Sequence, residues 1–500
     1  MNEKIHPEDP DTLPQTSSEN AESAPRKTDE PGTYVTGQGP KPPRKISLAA
    51  AVGAMITAVI LAVLVTFSLT TLYLRDQPDA VVSQNDKQAF PELEVLDKLF
   101  RSLTVRDLDD DAIGTALLKA YVSATGDRYA EYYTDEEYAA QVAQQNGEMC
   151  GIGITVVNGT VTVDGISHQG LIVSSVYPDS PALEAGVKPN DVIISIGTGE
   201  DAVSVDELGY DGALSRLRGE EGTEAVFTVR RKVPTSDGNM SGDMSHDMSD
   251  DMSNDRYDAI EITATRRKLT TQSVLYHVCE TDSSIGIVRI TGFDNTTAAQ
   301  FETAMDSLLQ TGCASFVIDL RNNGGGLLSS VEDVLTFFLE PGDVMLYTRN
   351  KAGEKEELRV TVSEEGKVTS GSGKYTAEDV GKYRGHDLCV LVNGYTASAA
   401  ELFTANIRDH GLGKVIGTQT YGKGTMQTTY SLSRYGLTGA LKLTTRYYDP
   451  PSGENYDGAG ITPDLVIELS EEAMSYNINL LPDDKDNQLQ AAIGRYLGNR

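Results

Sequence analysis

Three short stretches of the sequence combine residue types that can carry out nucleophilic catalysis. Residues 319–326 read DLRNNGGG, residues 393–401 read NGYTASAAE, and residues 421–427 read YGKGTMQ. The first offers glycine N–H groups to an anion, the second carries a serine among small residues, and the third carries a lysine between glycines. A serine nucleophile, a lysine base and an oxyanion hole are therefore one chemistry that these residues support.

The glycine-rich stretch has two interpretations, because a strand-to-helix junction of this kind either binds phosphate or forms an oxyanion hole. The Gly-Lys-Ser/Thr ending of a Walker loop is absent. In the second stretch, Ser398 stands at the predicted start of a helix. Its hydroxyl is reachable there, and the Ala399 N–H points at a developing negative charge.

A serine nucleophile needs a base, and the sequence limits the choice. The G-x-S-x-G elbow of the α/β-hydrolases is missing. His386 precedes a buried strand and His410 lies at the far end of the helix that begins at Ser398, so surface or structural roles are favoured for both. Lys423 is the remaining candidate, provided that burial lowers its pKa from the usual value of about 10.4.

The elements around these stretches predict an α/β core over residues 271–500. From residue 284 onward, strand-like and helix-like patterns alternate. Strands are predicted over 285–290, 316–320 and 388–392, and helices over 297–309, 327–339 and 398–408.

Before the core, residues 148–270 predict a small β-rich domain, and residues 90–147 a small helical segment. Residues 180–193 (SPALEAGVKPNDVI) resemble the middle of a PDZ domain, and Gly151–Ile154 (GIGI) resembles the loop that holds a peptide carboxylate in that family. Residues 233–257 contain a Met/Asp/Ser repeat, interpreted as a flexible hairpin loop with a soft metal site as the alternative.

The N-terminal part predicts a membrane anchor. Residues 1–45 are polar and contain hardly any large apolar side chain, which indicates a disordered tail. Residues 46–74 carry no charged side chain and are long enough to cross ~30 Å of hydrocarbon. The basic cluster Lys41, Arg44 and Lys45 predicts a cytoplasmic N-terminus and an extracytoplasmic core at the cell membrane.

Composition argues against several classes of function. The chain has 42 Lys and Arg against 74 Asp and Glu, a net charge of −32, which disfavours nucleic acid as a partner. The four cysteines form no C-x-x-C pair and the histidines no H-x-x-x-H pair. The expectation is therefore an enzyme without a metal or another cofactor.

Taken together, residues 90–500 resemble the carboxy-terminal processing peptidases, also called tail-specific proteases, in the order helical segment, PDZ domain and α/β core. The matching stretches are GIGI at 151–154, the phrase at 180–193, D-L-R-x-N-x-G-G at 319–326, S-A-x-E at 398–401, G-K-G at 422–424 with Gln427, and GITPD at 460–464. The resemblance implies that Ser398 is the nucleophile, Lys423 the general base and Gln427 the residue that orients Lys423.

The resemblance also implies an oxyanion hole formed by the N–H groups of Ala399 and a glycine. Many family members carry proline where this chain has Gly324. Proline has no N–H, so Gly325 is the better donor candidate. The departure leaves the loop more flexible.

The same resemblance implies how substrates are chosen. Gly151, Ile152, Gly153 and Ile154 would bind the free apolar C-termini of protein substrates. Arg218 would reach the catalytic side as a regulatory residue, with a solvent-exposed arginine of no regulatory role as the alternative. A homodimer is one candidate assembly, on which the resemblance does not decide. The competing hypothesis is a catalytically inactive tail-binding protein, and a weaker one, resting on the Met repeat alone, is a metal-handling surface protein.

Overall fold

The computed structural model of the chain describes residues 90–163, 166–233 and 257–497. The predicted tail and membrane span, residues 1–45 and 46–74, lie outside these ranges, as does nearly all of the Met/Asp/Ser stretch. Within the described ranges, no helix has both the length and the apolar character needed to span a bilayer. The four cysteines are free thiols.

The chain divides into two compact units between Asp107 and Leu108. In the first unit, the described residues form α1 (Pro91–Leu103), whose side chains Leu93, Leu96 and Phe100 are exposed. Their spacing of three and four residues places them on one helix face. This helix therefore presents an apolar face.

The second unit begins with two helices and a short strand. The helix α2 (Asp110–Ala124) is capped by Asp109, and a turn at residues 125–130 leads into β1 (Glu131–Tyr133). The following helix, α3 (Asp135–Gln145), begins with a capping box of Thr134 and Glu137.

An antiparallel β-domain follows, with β2 (Glu148–Gly151) paired to β9 (Arg267–Thr270). Its other elements are β3 (Ile154–Val163), β4 (Ile166–Val176), α4 (Pro181–Glu184), β5 (Val192–Ile196), a 3₁₀ turn (Gly199–Asp201), β6 (Val203–Ser204), α5 (Val205–Leu217), β7 (Glu224–Lys232) and β8 (Tyr257–Thr265). The sheet order is β3-β4-β5-β7-β8, so β3 is an edge strand. Leu171, Ile193 and Phe227 are fully buried in its core.

The α/β core contains the remaining elements. They are β10 (Val274–Val278), β11 (Ile285–Ile290), α6 (Thr297–Gln310), β12 (Ser315–Asp319), α7 (Leu328–Thr336), β13 (Val344–Asn350), β14 (Lys355–Arg359), β15 (Asp387–Val392), α8 (Ala399–Asp409), β16 (Lys414–Gly417), β17 (Thr425–Ser431), a 3₁₀ turn (Leu432–Tyr435), β18 (Ala440–Asp449), β19 (Leu465–Val466), α9 (Glu471–Met474), α10 (Asn487–Ala492) and a π-helical turn (Ile493–Leu497). The predicted helix over 327–339 is thus shorter than expected.

The central sheet has the order β10-β11-β12-β15-β16-β19, and its strands are parallel from β11 to β19. All five residues of β12 are buried, because helices cover both faces. Phe301 of α6 and Phe403 of α8 pack on one face, and Leu489 of α10 packs on the other. A second, antiparallel sheet (β1-β18-β13-β14, with β17 on β18) joins the α2–α3 segment to the core.

Candidate active site

Three loops meet at the carboxyl ends of neighbouring parallel strands, which is where open α/β sheets place their sites. The loop after β12 carries Gly325, the loop after β15 leads to Ser398, and the loop after β16 carries Lys423. The Ala397 N–H donates to the Asn323 carbonyl over 2.9 Å, and the Tyr421 N–H donates to the Thr396 carbonyl over 3.0 Å. Each loop is therefore tied to its neighbour.

Ser398 occupies a strained backbone conformation at the start of α8. Its φ is +57° and its ψ is −119°, a region that side-chain-bearing residues rarely adopt. Such strain costs about 1 to 3 kcal/mol and persists only where the surroundings enforce it. The residue is partly exposed, so its hydroxyl is accessible at the junction of strand and helix.

Glu401 is the group that enforces this junction. Its side chain is fully buried and accepts four hydrogen bonds. Oε2 accepts from the N–H groups of Ser398 (2.9 Å) and Lys423 (2.8 Å). Oε1 accepts from the Gly422 N–H (2.7 Å) and the Thr420 hydroxyl (2.5 Å). One carboxylate thus joins the serine loop to the lysine loop.

The expected oxyanion donors lie beside Ser398. A Cβ atom on Gly325 would stand 2.8 Å from the Ser398 Cβ and 3.0 Å from the Ala399 nitrogen. The Gly325 N–H itself donates to the Asn323 Oδ1 over 2.9 Å. No acceptor for the Ala399 N–H is found among the described residues. In this arrangement Ala399 is ready to donate, whereas Gly325 must first release Asn323.

Lys423 is half-buried, and burial is the main reason that its pKa lies below the usual range. The positive charges of Lys442 and Arg128 lower that pKa further, while the carboxylates of Glu401 and Asp127 oppose the shift. The Lys423 Nζ lies 4.4 Å from the centre of the Tyr129 ring. Burial and the two neighbouring positive charges therefore shift Lys423 toward the neutral amine that a base requires.

Gln427, expected to orient Lys423, has different partners. Its Nε2 donates to the Thr425 Oγ1 over 3.1 Å and to the Thr444 Oγ1 over 3.2 Å. The Thr444 hydroxyl in turn donates to Asp127 over 3.0 Å. Gln427 is thus connected to the turn before β1 rather than to the lysine.

Ser398, Ala399, Gly325, Lys423 and Gln427 all line one cavity of about 830 Å³. Apolar side chains form part of its wall, and three glutamines of α3 form another part. These lining residues are Phe293, Leu327, Leu328, Leu402, Met426, Gln141, Gln144 and Gln145. None of the histidines in the described ranges lines it.

The two histidines considered as bases lie elsewhere. The His386 Nδ1 is 3.2 Å from the Ala314 carbonyl, and the His410 Nε2 is 2.9 Å from the Val344 carbonyl. Among the described residues no cluster of His, Cys, Asp and Glu is arranged to hold a metal ion.

Sequence reasoning missed a buried ion cluster beneath the glycine loop. The Arg321 guanidinium pairs with Asp319 (2.7 Å) and Asp486 (2.6 Å), and Arg289 also contacts Asp319. The two arginines hold the pKa of Asp319 well below its usual range, against the effect of burial. The D-L-R motif therefore anchors the loop. In the sequence, the signal for this cluster was the pair of charged residues, Asp319 and Arg321, next to an apolar run.

Sequence reasoning also missed Tyr129 and Tyr448. Tyr448 is buried and lines the cavity, and its hydroxyl donates to the Lys423 carbonyl over 2.8 Å. Burial raises its pKa, and nearby hydroxyls of Tyr456 and Ser398 oppose that shift. No local pattern marks either tyrosine, because each meets the site from another element.

The β-domain presents its expected binding loop next to the β3 edge. Ile152 is buried and its carbonyl accepts from the Ala182 N–H over 2.9 Å, while Gly153 has a φ of +80°. The Tyr210 hydroxyl of α5 donates to the Val156 carbonyl of β3 over 3.3 Å. A peptide that adds to β3 would meet this contact.

Arg218 lies beside this loop rather than in the cavity. It is exposed at the end of α5, and its Cγ is 4.0 Å from where a Cβ of Gly151 would stand. It is not among the residues that line the cavity with Gln427.

Comparison with known proteins connects this geometry to a family. Residues 284–467 match the model described as peptidase family S41, and residues 172–231 match the PDZ domain model. The chain is 26% identical over 431 residues to a probable CtpA-like serine protease of Staphylococcus aureus (strain COL), covering 86% of this chain and 73% of that protein. A protein of the same description from Staphylococcus haemolyticus is 27% identical over 444 residues, covering 83% and 78%.

A solved structure supports the fold. A putative S41 protease from Bacteroides fragilis superposes with a TM-score of 0.52 at 16% identity, covering 82% of this chain and 98% of that one. Together with the family matches, it confirms the predicted combination of a PDZ domain and an α/β protease core.

Proposed function

Because residues 284–467 match peptidase family S41 and residues 172–231 match the PDZ domain, we propose that this serine-type peptidase cleaves the C-terminal tails of proteins with a dyad of Ser398 and Lys423. The observation that carries the proposal is the cavity that contains both side chains, with their loops joined by Glu401. Ala399 and Gly325 lie beside the same serine.

In the proposed reaction, the neutral Lys423 amine takes the proton of the Ser398 hydroxyl as its oxygen attacks the scissile carbonyl. The lysine ammonium then gives that proton to the leaving amine, which yields an acyl-enzyme. A water molecule deprotonated by the same lysine completes hydrolysis. The lowered pKa of Lys423 supports this role because a protonated lysine cannot accept a proton.

The oxyanion of the tetrahedral intermediate would receive hydrogen bonds from the Ala399 and Gly325 N–H groups. Gly325 would have to exchange Asn323 for the oxyanion when substrate binds. One such donor contributes roughly 100- to 1,000-fold to the rate.

The dyad is tested by peptide hydrolysis. We expect Ser398→Ala and Lys423→Ala each to abolish activity, and Lys423→Arg to fail as well because guanidinium stays charged. Chelators should have no effect. Near-normal hydrolysis by Lys423→Ala would refute the dyad, and binding of tails without any hydrolysis by the wild type would favour the inactive tail-binding protein.

Tail recognition is proposed for residues 151–154, which would bind a substrate's terminal carboxylate through backbone N–H groups. A charge-assisted hydrogen bond contributes about 1.5 to 3 kcal/mol, so amidation of the terminus should lower kcat/KM about 10- to 150-fold. Matched acid and amide peptides with apolar ends make the measurement. Equal cleavage of both would exclude carboxylate capture.

Arg218 is proposed as the residue through which tail binding affects catalysis. Its place next to Gly151 supports contact with a bound tail, whereas a contact with Gln427 would require movement of the PDZ domain. A lower kcat in Arg218→Ala would support this regulation. A raised KM alone would instead limit Arg218 to tail binding.

We also propose that residues 46–74 anchor the chain in the cell membrane with the protease outside. The uncharged span and the basic residues before it support this proposal. Protease added to intact cells should remove the core and spare residues 1–45, and a protected core would reverse this orientation.

We further propose that the enzyme forms a homodimer. The exposed apolar face of α1 supports this proposal. Sedimentation in detergent tests the dimer.

A further inference from the structure

The amino group of Lys423 has an unusual environment for a proposed base. Its Nζ makes no hydrogen bond and no ion pair with any residue of the described ranges. Its contact is the Tyr129 ring, whose centre lies 4.4 Å away. A cation over an aromatic face at this distance is attracted by the ring electrons.

The turn that carries Tyr129 is fixed to the protease core. The Asp127 carboxylate accepts from the N–H (2.8 Å) and the hydroxyl (3.0 Å) of Thr444 in β18. The adjoining strand β1 pairs with the same β18. The turn therefore belongs to the wall of the cavity, although it precedes the PDZ domain in sequence.

Arg128 fixes the ring itself. Its guanidinium donates to the Tyr129 hydroxyl and lies 4.7 Å from the centre of that ring. The same group lies 5.6 Å from the Tyr421 ring. Tyr129 is half-buried, so the ring that faces Lys423 is partly shielded from water.

We propose that Tyr129 is a positioning residue for the catalytic lysine: its ring receives the Lys423 ammonium group in the resting enzyme and holds it inside the cavity that Ser398 also lines. The inference rests on the proposed dyad for the role of Lys423. When substrate binds, the ammonium gives its proton to a solvent water molecule, and the neutral amine leaves the ring and turns toward the serine hydroxyl.

Besides the ring, four charged groups influence the pKa of Lys423. Lys442 on β18 and Arg128 on the turn disfavour the ammonium form, whereas Glu401 on α8 and Asp127 favour it. The Tyr129 ring also favours the ammonium form, because only the charged lysine is attracted to it. Removing the ring while keeping an apolar side chain should therefore lower the pH at which Lys423 loses its proton.

The test measures the protonation of Lys423 directly. The full-length chain in detergent, carrying Ser398→Ala to prevent autolysis, is labelled with trace acetic anhydride across a pH series, and Lys423 acetylation is quantified by mass spectrometry. In Tyr129→Leu the midpoint should fall by about 0.5 to 1.5 pH units. Tyr129→Phe, which keeps the ring, should match the parent chain.

An unchanged midpoint in Tyr129→Leu, or an equal shift in Tyr129→Phe, would overturn the proposal. Tyr129→Met provides a second variant if Tyr129→Leu fails to fold. It also removes the ring while keeping an apolar side chain, so the midpoint should fall, and an unchanged midpoint would contradict the arrangement. Labelling of Lys414, far from the cavity, should stay the same in every variant.

A kinetic measurement separates this inference from the proposed function. In chains with Ser398 intact, the acidic limb of the pH profile of kcat/KM should move to lower pH in Tyr129→Leu and not in Tyr129→Phe. Loss of packing alone would lower the whole profile without moving the limb. Hydrolysis that persists in Ser398→Ala would refute the dyad and leave the labelling result to decide the role of Tyr129.

Discussion

The two halves of the proposed dyad are held in opposite ways. On the serine side, a buried carboxylate, a strained φ and the Asn323 carbonyl fix the backbone, so Ser398 is held in one conformation. On the lysine side, the backbone is equally fixed through Glu401, but within the described ranges the amino group makes no hydrogen bond or ion pair and lies over an aromatic ring. The nucleophile is therefore built into the fold, whereas the base remains adjustable, and control of activity is expected at the lysine.

The largest effect is expected from a substitution that disrupts the serine side of the site. A methyl group on Gly325 would meet the Ala397 carbonyl and the Ser398 Cβ at 2.8 Å, at a φ of +101° that alanine rarely adopts. Gly325→Ala should lower kcat/KM at least about 100-fold. A methyl group on Gly324 meets nothing within 4 Å, so Gly324→Ala should retain far more activity. Equal losses in the two variants would mean that this loop does not shape the oxyanion hole.

A second prediction concerns Glu401, the carboxylate that binds both the serine loop and the lysine loop. In Glu401→Gln one oxygen becomes an amide nitrogen that faces two donors, which should lower the free energy of unfolding by about 3 kcal/mol. Activity should fall as well, because Ser398 loses its support. Denaturant unfolding provides the measurement, with Glu471→Gln at the exposed start of α9 as the control. A stability equal to wild type would show that Glu401 does not organise the junction.

The smallest effect is expected from a substitution that changes the charge next to Lys423. Lys442 lowers the pKa of Lys423, and Lys442 itself is paired with Glu131 (2.9 Å). Lys442→Gln removes a positive neighbour and leaves Glu131 unpaired, and both changes raise the pKa of Lys423. The acidic limb of kcat/KM should then move to higher pH, lowering the rate at pH 7 a few-fold, with the same plateau at high pH.

Lys414→Gln changes the net charge equally but lies at the start of β16, so it should leave the limb in place. If the acidic limb moved equally in Lys442→Gln and Lys414→Gln, the shift would come from the net charge rather than from the position of Lys442 next to Lys423.

The sequence by itself determined the order of domains, the α/β alternation and the identity of the candidate residues. These depend on local patterns: a buried strand such as 316–318 is a continuous apolar run, and a glycine-rich turn after it needs only neighbouring residues to form. Neighbouring parallel strands then place their loops at one edge, so the meeting of Gly325, Ser398 and Lys423 in one cavity follows from the predicted fold.

Only the tertiary structure decided what each of these residues contacts. Gln427 binds Thr444 rather than Lys423, the Gly325 N–H donates to Asn323, and Arg218 lies by Gly151. Tyr129 reaches Lys423 from a segment on the other side of the PDZ domain in sequence. Such partners are far apart along the chain, and no periodicity or turn signal encodes them, because they depend on how separate elements pack against one another.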